Sequence, residues 1–158
     1  MKREKNHKGF TLIELVVIVA IMGIMLGLGG YSLSMIAAAN AKGCAQEINA
    51  ALVSTRTEAY SKDNGTSIAK MTLKTGSDGI YVHKSSDGEK QVGGSRVTVS
   101  YSSDGATYTP LDGTGLTFSY DRSSGAFNAL PCKYIKVTGG TKSYTIICYE
   151  KTGKTVVE

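Results

Sequence analysis

Gly9-Phe10-Thr11-Leu12-Ile13-Glu14-Leu15, with the apolar run that continues to Leu28, decides how this chain folds. Four cations stand before it: Lys2, Arg3, Lys5 and Lys8. From Phe10 to Leu28 every residue is apolar, alanine or glycine except Thr11 and Glu14. Nineteen residues at a helical rise of about 1.5 Å cover roughly 28 Å, close to the ~30 Å hydrocarbon core of a bilayer. The run therefore predicts a helix whose first half, residues 10–31, spans a membrane. The leader cations place its N-terminus in the cytoplasm and the rest of the chain outside.

Glu14 is the anomaly in this run. A carboxylate at the centre of a membrane helix costs about 2.5–3.5 kcal/mol, which marks it as functional by default. Four residues from Phe10 it sits near the interface, where the cost is smaller. Were the chain cut after Gly9, Phe10 would carry a new α-ammonium. Glu14 could neutralise that charge on a neighbouring copy, favouring side-by-side assembly in lipid.

Residues 9–15 with their basic leader resemble the processing site of type IV prepilins and pseudopilins. The resemblance covers about the first 30 residues. It implies that a membrane-embedded prepilin peptidase removes the basic leader, residues 1–9, by cutting between Gly9 and Phe10, and methylates the new N-terminus on Phe10. It also implies that Glu14 guides docking into a filament. The partners it implies are other pilin or pseudopilin subunits, which meet through the N-terminal helix, the peptidase, and an inner-membrane assembly platform. Two plainer readings stand beside it. A secretory signal also has a basic and an apolar region, and Ala37-Ala38-Ala39 offers small residues for cleavage; the apolar run is long for that, and a glutamate inside it is unfavourable. A signal-anchor helix that never polymerises leaves Gly9 and Glu14 unexplained.

The bulk numbers suit one small exported domain behind a helix. The formal charge is +5 over 158 residues, but four leader cations less Glu4 account for +3 of it. Around Leu28, Gly27, Gly29 and Gly30 each cost about 1 kcal/mol against alanine, so the helix is weakest there and can bend. Beyond them Leu33, Ala37, Ala41, Cys44, Ile48, Leu52, Thr55 and Ala59 recur at three- and four-residue steps as one apolar face. This predicts an amphipathic half over residues 32–63, ended by Asp63-Asn64-Gly65.

From there to residue 158 the pattern becomes a β-rich globular head. Short β-branched and tyrosine-rich runs predict strands at Ile68–Leu73, Ile80–His83, Arg96–Tyr101, Leu116–Tyr120, Ala126–Leu130, Lys133–Thr138, Tyr144–Tyr149 and Thr155–Val157. Asp-Gly pairs at 78–79, 87–88, 104–105 and 112–113 suit tight turns. The fold class expected is α+β and, on the resemblance, pilin-like: a long N-terminal α-helix packed on an antiparallel β-sheet head.

Chemistry-bearing clusters are sparse. Asp87, Glu89 and Asp104 are hard-oxygen groups that could hold a structural calcium, but no dense ligand pattern surrounds them and turn chemistry accounts for them; no cofactor is expected. His83 closes a strand pattern, and no nucleophile–base set or phosphate loop can be assembled, so no catalysis is expected. The three cysteines, Cys44, Cys132 and Cys148, leave at least one unpaired. Cys132 and Cys148 flank a hairpin and would face each other across a three-residue loop, within reach of a disulfide; the competing reading is that Cys44 and Cys148 are buried small residues.

A second, shorter resemblance lies in the C-terminal third. Leu116–Tyr120 with Ser123–Phe127, and Tyr144–Cys148 with Lys151–Val156, look like strand pairs of minor pseudopilins of the GspH/FimT type. That implies a minor subunit. The same third is basic: Arg122, Lys133, Lys136, Lys142, Lys151 and Lys154 stand against Glu150 and Glu158, a local +4. With Tyr134, Tyr144 and Tyr149 nearby, these cations are candidate contacts to nucleic-acid phosphates, against the plainer reading of a solvated hairpin face. Some relatives of the FimT type bind DNA during uptake, so the alternative function is a DNA-binding minor pilin.

Overall fold

The structure is a computed structural model that describes residues 10–61 and 69–158, the side chains of residues 28–32 excepted. The leader, with Gly9, and the expected helix stop at Asp63-Asn64-Gly65 lie outside the described residues. Helix α1 runs Leu12–Ser61 without a break, passing through the glycine cluster as helix. The chain divides after Leu33 into two compact units.

In the first unit every described side chain from Phe10 to Leu26 is exposed, including Leu12, Ile13, Val16, Ile21 and Met25. A helix that is apolar all round has no preferred face, so burial of this surface needs neighbours on every side.

The second unit begins with the amphipathic part of α1. Ala37, Ala41, Cys44, Ile48, Leu52, Thr55 and Ala59 are buried, as the spacing predicts, and Ala45 joins them. Leu33 does not: it is 55 % exposed. The turn at Gly140 packs on the helix at Ser34, so the head's contact with the helix begins one residue past Leu33.

Ten strands follow in two antiparallel sheets of five. Sheet A is ordered β3-β2-β1-β6-β7, from β1 (Lys70–Thr75), β2 (Gly79–Lys84), β3 (Gly88–Gly94), β6 (Leu116–Tyr120) and β7 (Phe127–Ala129). Sheet B is ordered β10-β9-β8-β4-β5, from β4 (Thr98–Ser102), β5 (Thr109–Pro110), β8 (Tyr134–Gly139), β9 (Lys142–Tyr149) and β10 (Lys154–Val157). All eight expected strands are present, each described bound within two residues of the expected one; the expected start at Ile68 lies outside the described residues. Strands β3 and β5 are additional. Gly88–Gly94 is polar and glycine-flanked, and Thr109–Pro110 contains a proline; both are edge strands, where burial does not write an apolar alternation into the sequence.

One core joins helix and sheets. Ile48 and Leu52 from α1, Met71, Leu73 and Phe118 from sheet A, and Ile135, Val137 and Ile146 from sheet B are all fully buried in one cluster. Each such side chain contributes about 1.5–3 kcal/mol on leaving water. Backbone bonds also tie sheet A to the connections of sheet B: Phe127 N–H donates to the carbonyl of Glu150 in the β9–β10 turn (3.0 Å), and Thr75 N–H to that of Asp112 between β5 and β6 (3.1 Å).

Aspartates set the turns by accepting backbone N–H groups. Asp121 Oδ1 accepts from Ser124 N (2.9 Å) and from the Ser123 and Ser124 hydroxyls; Asp104 Oδ1 accepts from Ser102 Oγ and from the N–H groups of Ala106 and Thr107. These bonds, led in each case by the serine hydroxyls, hold both carboxyls down at about 2 from the ordinary 3.8. A lowered folded-state value means that protonation favours the unfolded chain. The head is therefore expected to be fully stabilised by these turns above about pH 4 and to lose that contribution as pH falls toward 2. Acid titration of the circular dichroism signal checks this: Asp121→Asn should flatten the drop between pH 4 and 2, and an unchanged profile contradicts it.

Candidate functional site

The start of α1 is held by a reciprocal cap. Thr11 N–H donates to Glu14 Oε2 at 2.9 Å, the Thr11 hydroxyl donates to the same oxygen at 2.9 Å, and Glu14 N–H reaches back to Thr11 Oγ1 at 3.4 Å. This is a capping box, Thr-x-x-Glu, which satisfies two of the helix's orphan donors. Its sequence signal was available in Thr11-Leu12-Ile13-Glu14, but the reading of Glu14 as an intermolecular partner left Thr11 without a role. The cap fixes the Glu14 carboxylate within one turn of Phe10. Phe10 itself is 79 % exposed. The arrangement thus presents one acid at the head of an uncharged helical surface that continues to Gly27. The acid is satisfied within its own chain, and no described side chain covers it.

Among the described residues, no helix is long and apolar enough to cross a membrane.

The candidate nucleic-acid contacts are scattered by the fold. Lys133 lies just before β8; Lys136, on β8, packs its ammonium 5.2 Å from the centre of the Tyr108 ring. Lys142 opens β9, whereas Lys151 and Lys154 lie in and after the turn that follows its far end. Arg122 is exposed in the β6–β7 turn, beside Asp121. Lys133 and Lys151 are brought together, lining one groove with Tyr134 and Tyr149. Lys142 is not, being at the opposite end of the strand.

All three cysteines are buried free thiols. Burial pushes each up to about 12, so none is a reactive thiolate. The opposed placement expected of Cys132 and Cys148 is not met. Gly139 pairs with Lys142, which leaves a two-residue loop, Gly140-Thr141, in place of the three expected. That register sets Lys133 across from Cys148, whose N–H donates to the Lys133 carbonyl at 2.8 Å. Two-residue loops fit the twist of a hairpin when glycine supplies positive φ, and Gly140 does so at 59°.

The acids weighed for calcium have protein partners. Asp87 pairs with Lys84, Glu89 with Lys74 at 2.8 Å, and Asp104 with its own turn. His83 is exposed on β2, opposite Thr72 and Glu89.

Residues 5–30 match the model of the prokaryotic N-terminal methylation motif, the signature of type IV prepilins and pseudopilins. The motif implies a membrane-anchored precursor, processing by prepilin peptidase, and assembly with other pilin subunits. No curated protein and no solved structure matches the chain.

Proposed function

We propose that this chain is a minor structural subunit of a filament of the type IV pilus kind: a pilus, a competence filament or a type II secretion pseudopilus. Prepilin peptidase cuts it between Gly9 and Phe10 and methylates Phe10. Before assembly, residues 10–31 cross the inner membrane once, with the N-terminus in the cytoplasm and the β-rich head outside. In the filament the same residues pack against other copies. The chain acts by assembling, and the chemistry on it is done by the peptidase.

The observation that carries this reading is the surface of α1 from Leu12 to Leu26, exposed and uncharged but for Glu14. Apolar surface of this extent is stable only against lipid or other apolar helices. An acid at its head, one turn from Phe10, supplies a counter-charge for a newly freed α-amine. The processing motif over residues 5–30 supports the same reading. Fibres sheared from cells should carry the chain, and its absence from them while it accumulates in the membrane fraction contradicts the proposal.

A second reading, contact with nucleic acid, is favoured by an asymmetry of ion pairs. In sheet A three of the four strand lysines, Lys74, Lys84 and Lys90, are paired with a carboxylate, and among the described residues Lys70 is not. On the sheet B side Lys133, Lys142, Lys151 and Lys154 have no ion-pair partner among the described residues, which leaves their charge available to phosphates.

A further inference from the structure

Sheet B turns Ile135, Val137, Ile146 and Cys148 into the core. Its other side carries Tyr134, Lys136, Ile147 and Tyr149, none of them fully buried. At one end of this side a shallow groove of about 360 Å³ is lined by Lys133, Tyr134, Ile147, Tyr149, Glu150 and Lys151. That volume lies within the ~300–1,000 Å³ of ligand sites. We propose that this groove binds single-stranded nucleic acid, with backbone phosphates on Lys133 and Lys151 and a base against the tyrosines. The inference rests on the nucleic-acid reading and narrows it to one strand form and one place.

Charge and shape both select this occupant. Lys133 and Lys151 are exposed and without ion-pair partners among the described residues, so they are complementary to an anion. Glu150 also lines the groove and repels phosphate, which confines the backbone to the two lysines. Tyr149 is 48 % exposed, and so presents ring surface to solvent. Tyr134 packs one side of its ring beneath Gly105 of the β4–β5 loop, which fixes its position. Aromatic rings beside a cationic track bind unstacked bases, because every base has a π-face. In a duplex those faces are already stacked. A duplex would meet the same lysines through its phosphates alone and leave the tyrosine rings unused.

The test uses the full chain in detergent micelles, with a labelled 20-nucleotide oligo-dT and a 20-base-pair duplex as probes at about 50 mM salt. The single strand is expected to bind at least about tenfold more tightly than the duplex. Tyr149→Ala should lose about tenfold for the single strand while Tyr149→Phe keeps it. Lys151→Ala should lower the salt slope by about 1. Circular dichroism of each variant separates loss of binding from loss of fold. Equal affinity for both probes, equal competition by polyglutamate, or an unaffected Tyr149→Ala overturns the groove while leaving nucleic-acid contact through other lysines intact. Binding of neither probe at low salt overturns both.

Discussion

Glu14→Ala is expected to reduce recovery of the chain in sheared fibres at least about tenfold, with the amount in the membrane little changed. Two different losses are folded into that number, and a second variant separates them. Removing the carboxylate takes away the half of the capping box that accepts from the Thr11 N–H and hydroxyl, while residue 14 N–H can still donate to Thr11 Oγ1. It also leaves any α-ammonium on a neighbouring Phe10 without a counter-charge, where an unpaired charge at the centre of the bilayer costs about 2.5–3.5 kcal/mol and somewhat less near the interface. Glutamine serves in a capping box almost as well as glutamate. If the negative charge is what matters, Glu14→Gln should fail nearly as badly as Glu14→Ala. If the cap is what matters, Glu14→Gln should assemble normally and Thr11→Ala should fail. We expect the first pattern, measured as the fibre-to-membrane ratio of each variant at matched expression.

The second large effect is expected in the head. Gly153, at +63° in φ, lies in the β9–β10 turn directly against the Gly125 backbone in the β6–β7 turn. A Cβ built on Gly153 would overlap the Gly125 carbonyl oxygen, the same oxygen that accepts from Arg56 Nε at 3.0 Å. Tyr60 adds a bond from its hydroxyl to the Ser124 carbonyl, also at 3.0 Å. The end of the amphipathic helix thus clamps a point where a turn of sheet A touches a turn of sheet B. Any side chain at Gly153 must part the two turns and adopt a strained φ. Gly153→Val should therefore destabilise the head by about 3 kcal/mol or more, seen as a fall in Tm on the order of 10 °C. Gly94→Ala is the control: it lies at the open end of the β3 edge strand with nothing near its Cβ, and should change Tm by about 2 °C or less.

The helix and most of the strands were legible because burial imposes a period on the sequence. The positions from Ala37 to Ala59 repeat at helical spacing because one side of α1 faces the core, and Leu116–Tyr120 reads as a strand because its apolar positions face inward. Where burial stops, the period stops with it. Strand β3 carries Glu89, Lys90 and Gln91 at an open edge and gives no alternating signal. The Cys132–Cys148 expectation depended on a loop length, and one residue of register was enough to bring Lys133 into the opposing place. The Gly125–Gly153 contact joins turns remote in sequence and no local pattern announces it. At the N-terminus the acid, the leader and the apolar run are all legible, and Thr11 three residues before Glu14 carries the signature of the cap as well. The grouping of Lys133 with Lys151, and the exclusion of Lys142, come from strand direction alone.

The mass and N-terminal residue of the chain isolated from cells that make it test the central claim most directly. The mature chain should begin at Phe10, lack residues 1–9, and carry one additional methyl group on its terminal nitrogen. A chain that still begins at Met1, or one that begins after Ala39 as a cleaved secretory signal would leave it, contradicts the account.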